Sequence, residues 1–342
     1  MSESKAMILG CAGTRLTREE AALYADQRPW GLILFARNIG QAGEIADLTA
    51  RFRDLVGRPD APVLIDQEGG RVQRIRAPIA PDYPAGATLG AVYARDGEAG
   101  LDAARLMGRL LASDLAPLGI NVDCLPVLDV PVPGANDVIG TRAYGHDADS
   151  VAAIGGALAE GLIEGGVLPV MKHIPGHGRS MVDSHKALPV VDAPFDDLDG
   201  VDFEPFRRLG HLPMAMTAHI VYRAVDADNP ATTSARVIGE IIRGRIGFEG
   251  LLMSDDLSMH ALSGDFATRA RATLSAGCDI ALHCNGLMEE MKPVAEATPP
   301  LAGESAARAE RALAHLAGKP MAQVDRAIEE ARARFDALVA AA

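Results

Sequence analysis

The sequence predicts an α/β fold, a single-domain (β/α)8 TIM barrel with extra C-terminal helices, and three observations carry that prediction. Eight short apolar runs rich in Val, Ile, Leu and Met alternate with longer amphipathic stretches. Runs of that length, bounded by Gly or Pro, suit strands buried on both faces, as in a parallel sheet. No repeat, low-complexity tract or Pro/Ser linker divides the 342 residues, a length that α/β barrels reach as one domain. Polar residues able to do chemistry also stand at the ends of the runs, which a barrel gathers on one face.

In chain order the runs are 6–13, 30–37, 61–70, 120–130, 167–176, 213–222, 250–257 and 278–285. Thr17-Arg18-Glu19-Glu20 reads as a capping-box helix start. Helical spacing follows over 42–56, 95–116, 147–164, 234–245 and 266–276. The tail after residue 302 is rich in Ala, Arg and Glu with helical periodicity, and is expected to form one or two outer helices covering the barrel. A doubly wound open sheet is the competing architecture.

Composition narrows the functional classes. Net charge is −13 with a pI near 5.1, which argues against a nucleic-acid-binding surface. Cys11, Cys124, Cys278 and Cys284 form no C-x-x-C pair, so buried free thiols in a reducing compartment are expected. The N-terminal apolar run is too short for a secretory signal, and no stretch of 18 apolar residues occurs. A cytoplasmic protein with neither nucleic-acid nor membrane partner is expected.

Four segments carry candidate chemistry. Asp66 and Glu68 follow the third run, where Gly69 and Gly70 permit a tight turn, and Arg71-Val72-Gln73-Arg74 comes next. A buried Asp at a strand end can accept two hydrogen bonds from neighbouring sugar hydroxyls, with Arg74 beside it. Arg142, in Ile139-Gly140-Thr141-Arg142, is a further donor or a bracing residue. Lys172-His173-Ile174-Pro175-Gly176-His177-Gly178 ends the fifth run and leads to Asp183-Ser184-His185. Here Lys172 and His173 can bind hydroxyls, while the Asp183 carboxylate can orient the His185 imidazole and favour its charged form. A metal reading uses His173, His177, His185 and His219, but Pro175 and Gly176 break the helical i,i+4 face of H-E-x-x-H zinc sites. In Met253-Ser254-Asp255-Asp256 one carboxylate can attack or take a proton, while the other caps the following turn.

Together, LIDQEGGRVQR, KHIPGHG followed by DSH, and MSDDLSM resemble glycoside hydrolase family 3 over about residues 6–285. The likeness is closest to the short bacterial β-N-acetylglucosaminidases (β-hexosaminidases) of peptidoglycan recycling. The resemblance implies a (β/α)8 barrel and a retaining two-step mechanism. It assigns the nucleophile to Asp255, the acid/base to His185 with Asp183 as partner, and sugar binding to Asp66, Arg74, Arg142, Lys172 and His173. It implies muropeptide fragments as substrate, and no cofactor, no metal and a monomer are expected. No second domain after the barrel is expected at this length, so the acid/base is expected from the 174–186 loop. The alternatives are a phosphorylase of the same family, a metal-dependent barrel hydrolase, and a non-catalytic sugar-binding protein.

Overall fold

The computed structural model describes residues 4–184, 187–316 and 326–340. Each of the eight apolar runs contributes one strand of the main sheet. They are β1 (Lys5–Leu9), β2 (Pro29–Leu34), β3 (Val63–Ile65), β4 (Val122–Asp123), β5 (Leu168–Ile174), β6 (Met214–Thr217), β7 (Leu251–Met253) and β8 (Ala281–His283). All seven neighbouring pairs are parallel, in the order β7-β6-β5-β4-β3-β2-β1-β8. A parallel bridge between Met253 and Ile280 joins the two edges. Ser254 N–H donates to Ile280 O at 3.0 Å across the same seam. The sheet is therefore a nearly closed barrel, and the doubly wound alternative falls.

Strand side chains alternate between two packed regions, as the two-residue strand period requires. Ile8, Leu64, Val170, Met214, Leu251 and Leu282 fill the barrel. Leu9, Ile65, Met171, Ala215, Leu252 and Ala281 face the surrounding helices. Carrying the inward row two residues further, past the apolar layer, replaces Leu64 by Asp66, Val170 by Lys172 and Met253 by Asp255. The sequence thus puts charge at the C-terminal mouth of the barrel and hydrocarbon beneath it.

The helices follow expectation with two differences. Thr17 Oγ1 accepts from Glu20 N–H at 3.2 Å and Glu20 accepts from Thr17 N–H at 2.7 Å, which completes the capping box. Ala42–Val56, Ala148–Glu164 and Phe266–Ala276 match their predicted stretches, whereas Val237–Arg245 is π-helical. The 95–116 stretch is the helix Gly97–Leu115, and a further helix outside the predicted stretches, Gly86–Arg95, precedes it. Asp96 separates them because its side chain accepts the Ala99 N–H and caps the second.

The first C-terminal helix is not an outer one. Gly303–Ala314 lies across the N-terminal end of the barrel, where Ala309 and Ala312 pack into the interior with Ala6, Trp30 and Leu168. Arg326–Ala340 does lie outside, with Phe335 against Tyr83 at 6.2 Å between ring centres. All four cysteines are free and buried. Among the described residues no helix is long and apolar enough to cross a membrane.

Candidate active site

The strand ends β3, β5 and β7 surround a small cavity of about 150 Å³ at the barrel mouth. Asp66, Arg74, Arg142, Lys172, His173 and Asp255 all line it, with Phe35, Glu68 and Met259. Six of the eight residues singled out in the sequence are therefore brought together. Asp183 lies on the loop between β5 and the short strand Val190–Val191 and is not among the lining residues. His185 lies outside the described residues.

An ion-pair chain runs across the cavity wall. Arg74 donates to Asp66 Oδ2 at 2.9 Å, and Lys172 Nζ reaches Asp66 Oδ1 at 2.8 Å and Glu68 Oε1 at 2.7 Å. Arg142 closes the chain on Glu68 through Nε at 2.7 Å and Nη2 at 2.8 Å, the planar fork that suits a guanidinium on a carboxylate. Burial pushes both carboxylates up, but the cations outweigh it: Lys172 and Arg74 hold Asp66, and Arg142 and Lys172 hold Glu68, below their ordinary ranges. Burial alone would lower Lys172, yet Asp66 and Glu68 raise it above its usual value. Each charge has an opposite partner, with three cations to two carboxylates, which fixes several donors and acceptors in place.

Glu68 is the member that the sequence reading names beside Asp66 but gives no role. The available signal was its spacing: positions 64, 66 and 68 share one side of an extended chain, so Glu68 follows Asp66 into the cavity. The turn that returns the chain to Arg74 uses Gly69 and Gly70 at φ 89° and 57°, a region that a side chain resists.

Asp129 is a second support. Its Oδ1 accepts the backbone N–H groups of His173 at 3.1 Å and His177 at 2.7 Å, and its Oδ2 takes His173 Nδ1 at 2.7 Å. Burial raises this carboxyl, but His173 and the hydrogen bonds bring it down to about 2. His173 therefore turns Nδ1 away from the cavity, leaving Nε2 as the ring nitrogen available towards a ligand.

The two adjacent aspartates have separate surroundings. Asp256 Oδ1 accepts from Ser258 N–H at 2.9 Å and from Cys284 N–H at 3.0 Å, and Oδ2 accepts from the Ser258 hydroxyl. Asp255 stands at the end of the inward row of β7, its backbone N–H donating to Thr217 Oγ1 at 3.3 Å. Both aspartates line the cavity and Asp255 Oδ1 accepts the Asp256 N–H at 2.8 Å, while the Asp256 carboxylate also braces the turn through Ser258 and Cys284.

The described histidines of the metal reading, His173, His177 and His219, have separate partners. His219 has both ring nitrogens in hydrogen bonds, Nδ1 to Thr232 Oγ1 at 2.7 Å and Nε2 to Asp256 O at 3.0 Å. Among the described residues no group of three or more His, Cys, Asp or Glu is arranged to hold a metal ion.

Known proteins share this architecture. A β-hexosaminidase from Alkalilimnicola ehrlichii is 41% identical over 283 residues, covering 82% of this chain and 80% of that protein. The crystal structure of NagZ from Neisseria gonorrhoeae in complex with N-trifluoroacetyl-D-glucosamine has a TM-score of 0.89 at 33% identity, covering 98% of each chain. NagZ from the same organism in complex with zinc ion gives 0.87 at 32% identity, again over 98% of each chain. Residues 1–317 match the glycosyl hydrolase family 3 N terminal domain. On that match and those relatives, the chain belongs to glycoside hydrolase family 3.

Proposed function

We propose that this protein is a retaining β-N-acetylglucosaminidase that removes terminal β-1,4-linked N-acetylglucosamine from peptidoglycan fragments. The substrate is N-acetylglucosamine joined to anhydro-N-acetylmuramic acid, with or without peptide. The observation that best supports this reading is a carboxylate, Asp255, facing one small cavity with Asp66, Arg74, Lys172, His173 and Arg142. In the proposed reaction, polar groups of the cavity wall hold the sugar hydroxyls and acetamido group while Asp255 attacks the anomeric carbon. His185, partnered by Asp183, protonates the leaving oxygen. A glycosyl-enzyme forms, His185 then takes a proton from water, and water breaks the ester so that configuration is retained. The reading includes one catalytic domain, acting as a cytoplasmic monomer without a cofactor.

Phosphorolysis is the competing outcome within the same chemistry. The cavity offers it little support, because Arg74, Arg142 and Lys172 are each paired with Asp66 or Glu68. An incoming phosphate would have to compete with those carboxylates for each cation. Release of p-nitrophenol from its N-acetyl-β-glucosaminide, in phosphate-free buffer with excess EDTA, tests the proposal. Rapid release is expected. Activity that requires added zinc would transfer the reading to the metal-dependent alternative, and activity that requires phosphate would transfer it to the phosphorylase.

A further inference from the structure

Asp129 and His177 lie beneath the loop that leads to Asp183, and neither has a part in the chemistry above. The start of that loop is fastened to neighbouring segments. Gly178 O accepts from Val132 N–H at 3.3 Å, and Ser180 O accepts from Asn136 N–H at 2.8 Å. Arg179 Nε donates to buried Asp202 at 2.6 Å. A side chain at position 178 would strike the Val130 carbonyl oxygen, so the close approach needs glycine.

His177 extends that support towards Ser184. Both are buried, and His177 Nε2 lies 3.2 Å from Ser184 Oγ. His177 Nδ1 is buried without a hydrogen-bond partner. An unpaired buried acceptor is tolerated better than an unpaired N–H, which puts the proton on Nε2 and makes His177 the donor to Ser184. Burial, reinforced by His173, lowers the His177 pKa to about 4, so the neutral ring fits this arrangement. Ser184 directly precedes His185 in the chain.

We propose that His177 is a positioning residue for the Asp183-Ser184-His185 segment, holding Ser184 through Nε2–H while Asp129 fixes the backbone of His177 and the ring of His173 on one carboxylate. The sugar-facing histidine and the acid/base segment then share one buried anchor. This inference rests on His185 being the acid/base.

The test is kcat/KM on phenyl and 2,4-dinitrophenyl N-acetyl-β-glucosaminides, the second of which leaves without needing a proton. General acid catalysis is worth about 10²–10⁴-fold, so misplacing the acid in His177→Ala or Ser184→Ala should cost about 10–100-fold on the phenyl substrate and less than about threefold on the dinitrophenyl one. His177→Gln places an amide N–H near the original Nε2 and should recover most of the loss. The double variant should be no worse than the poorer single variant, because both remove the same bond. Equal losses on both substrates, additive losses, or no recovery by His177→Gln would overturn the proposal. His185→Ala separates the two levels. If it shows the leaving-group dependence and the His177 and Ser184 variants do not, only this inference falls. If His185→Ala shows none, the acid/base assignment falls and this inference falls with it.

Discussion

Replacing Glu68 by Gln deletes one charge from the centre of the ion-pair chain while nearly keeping its shape. The Glu68 side chain is 4% exposed, and its partners Arg142 and Lys172 are 11% and 3% exposed. Removing one partner of a buried pair costs about 3–5 kcal/mol, because the surviving charges stay desolvated. Gln keeps one acceptor oxygen and Asp66 still faces Lys172, so about 3 kcal/mol is expected. At about 2.1 cal/mol/K per residue, the unfolding entropy of a chain this long is roughly 0.7 kcal/mol/K, so Tm should fall by roughly 4 °C. Arg223 and Asp192 form an ion pair at 3.1 Å with side chains 57% and 74% exposed. Arg223→Gln should shift Tm by no more than about 1 °C, since exposed pairs are worth about 0–1 kcal/mol. Thermal unfolding of both variants at pH 7 makes the comparison. KM for the aryl N-acetylglucosaminide should also rise in Glu68→Gln, because Arg142 and Lys172 lose the group that aims them. A Glu68→Gln Tm within 1 °C of the parent, or equal shifts in the two variants, would refute the argument from burial.

Three further outcomes follow from the same structure. Asp255→Asn should lose turnover at near-parental Tm. Asp256→Asn should retain measurable turnover but lose about 1–3 kcal/mol of stability through its bonds to Ser258 and Cys284; the reverse pattern in activity and unfolding assays would exchange their roles. Asp123 is buried below the site, with Oδ2 unpartnered, and burial raises its pKa to about 8. The folded state therefore binds that proton more tightly than the unfolded chain, whose Asp titrates near 4, so its contribution is full below about pH 4 and lost as pH rises through about 8. Asp123→Asn should flatten the Tm profile over that window, and two parallel profiles would contradict the assignment. Ala312→Asp places a carboxylate in the apolar plug at the barrel's N-terminal end and should cost several kcal/mol in denaturant unfolding, whereas an unchanged midpoint would remove that helix from the core.

Much of the scaffold was legible because its signals are local. The Val-, Ile-, Leu- and Met-rich runs have little alternative to buried strands, and Thr17 with Glu20 spells a capping box. Asp96 marks the start of the 95–116 stretch by capping it, whereas the helix Gly86–Arg95 has no capping side chain at Ala85 and so no local signal of that kind. The plug helix was misplaced because an Ala-rich face packs equally well against the outside of a barrel or across its end, and only tertiary contacts choose. In the site, Asp66, Lys172 and Asp255 could be found from where the inward apolar rows stop. Asp129 stands near the end of the fourth run, but nothing local marks it as a hub, since its partners lie 44 and 48 residues away. The split between Asp255 and Asp256 likewise depends on Cys284, 28 residues further along. No sequence period records such pairings.

The central claim is covalent catalysis by Asp255, and trapping the intermediate tests it most directly. Incubation with a 5-fluoro N-acetylglucosaminyl fluoride, whose ring fluorine slows both steps while fluoride leaves readily, should build up a glycosyl-enzyme. Peptide mass spectrometry should find the sugar esterified to Asp255, and Asp255→Asn should acquire none. A sugar attached to another residue, or turnover with inverted product and no adduct, would contradict the account.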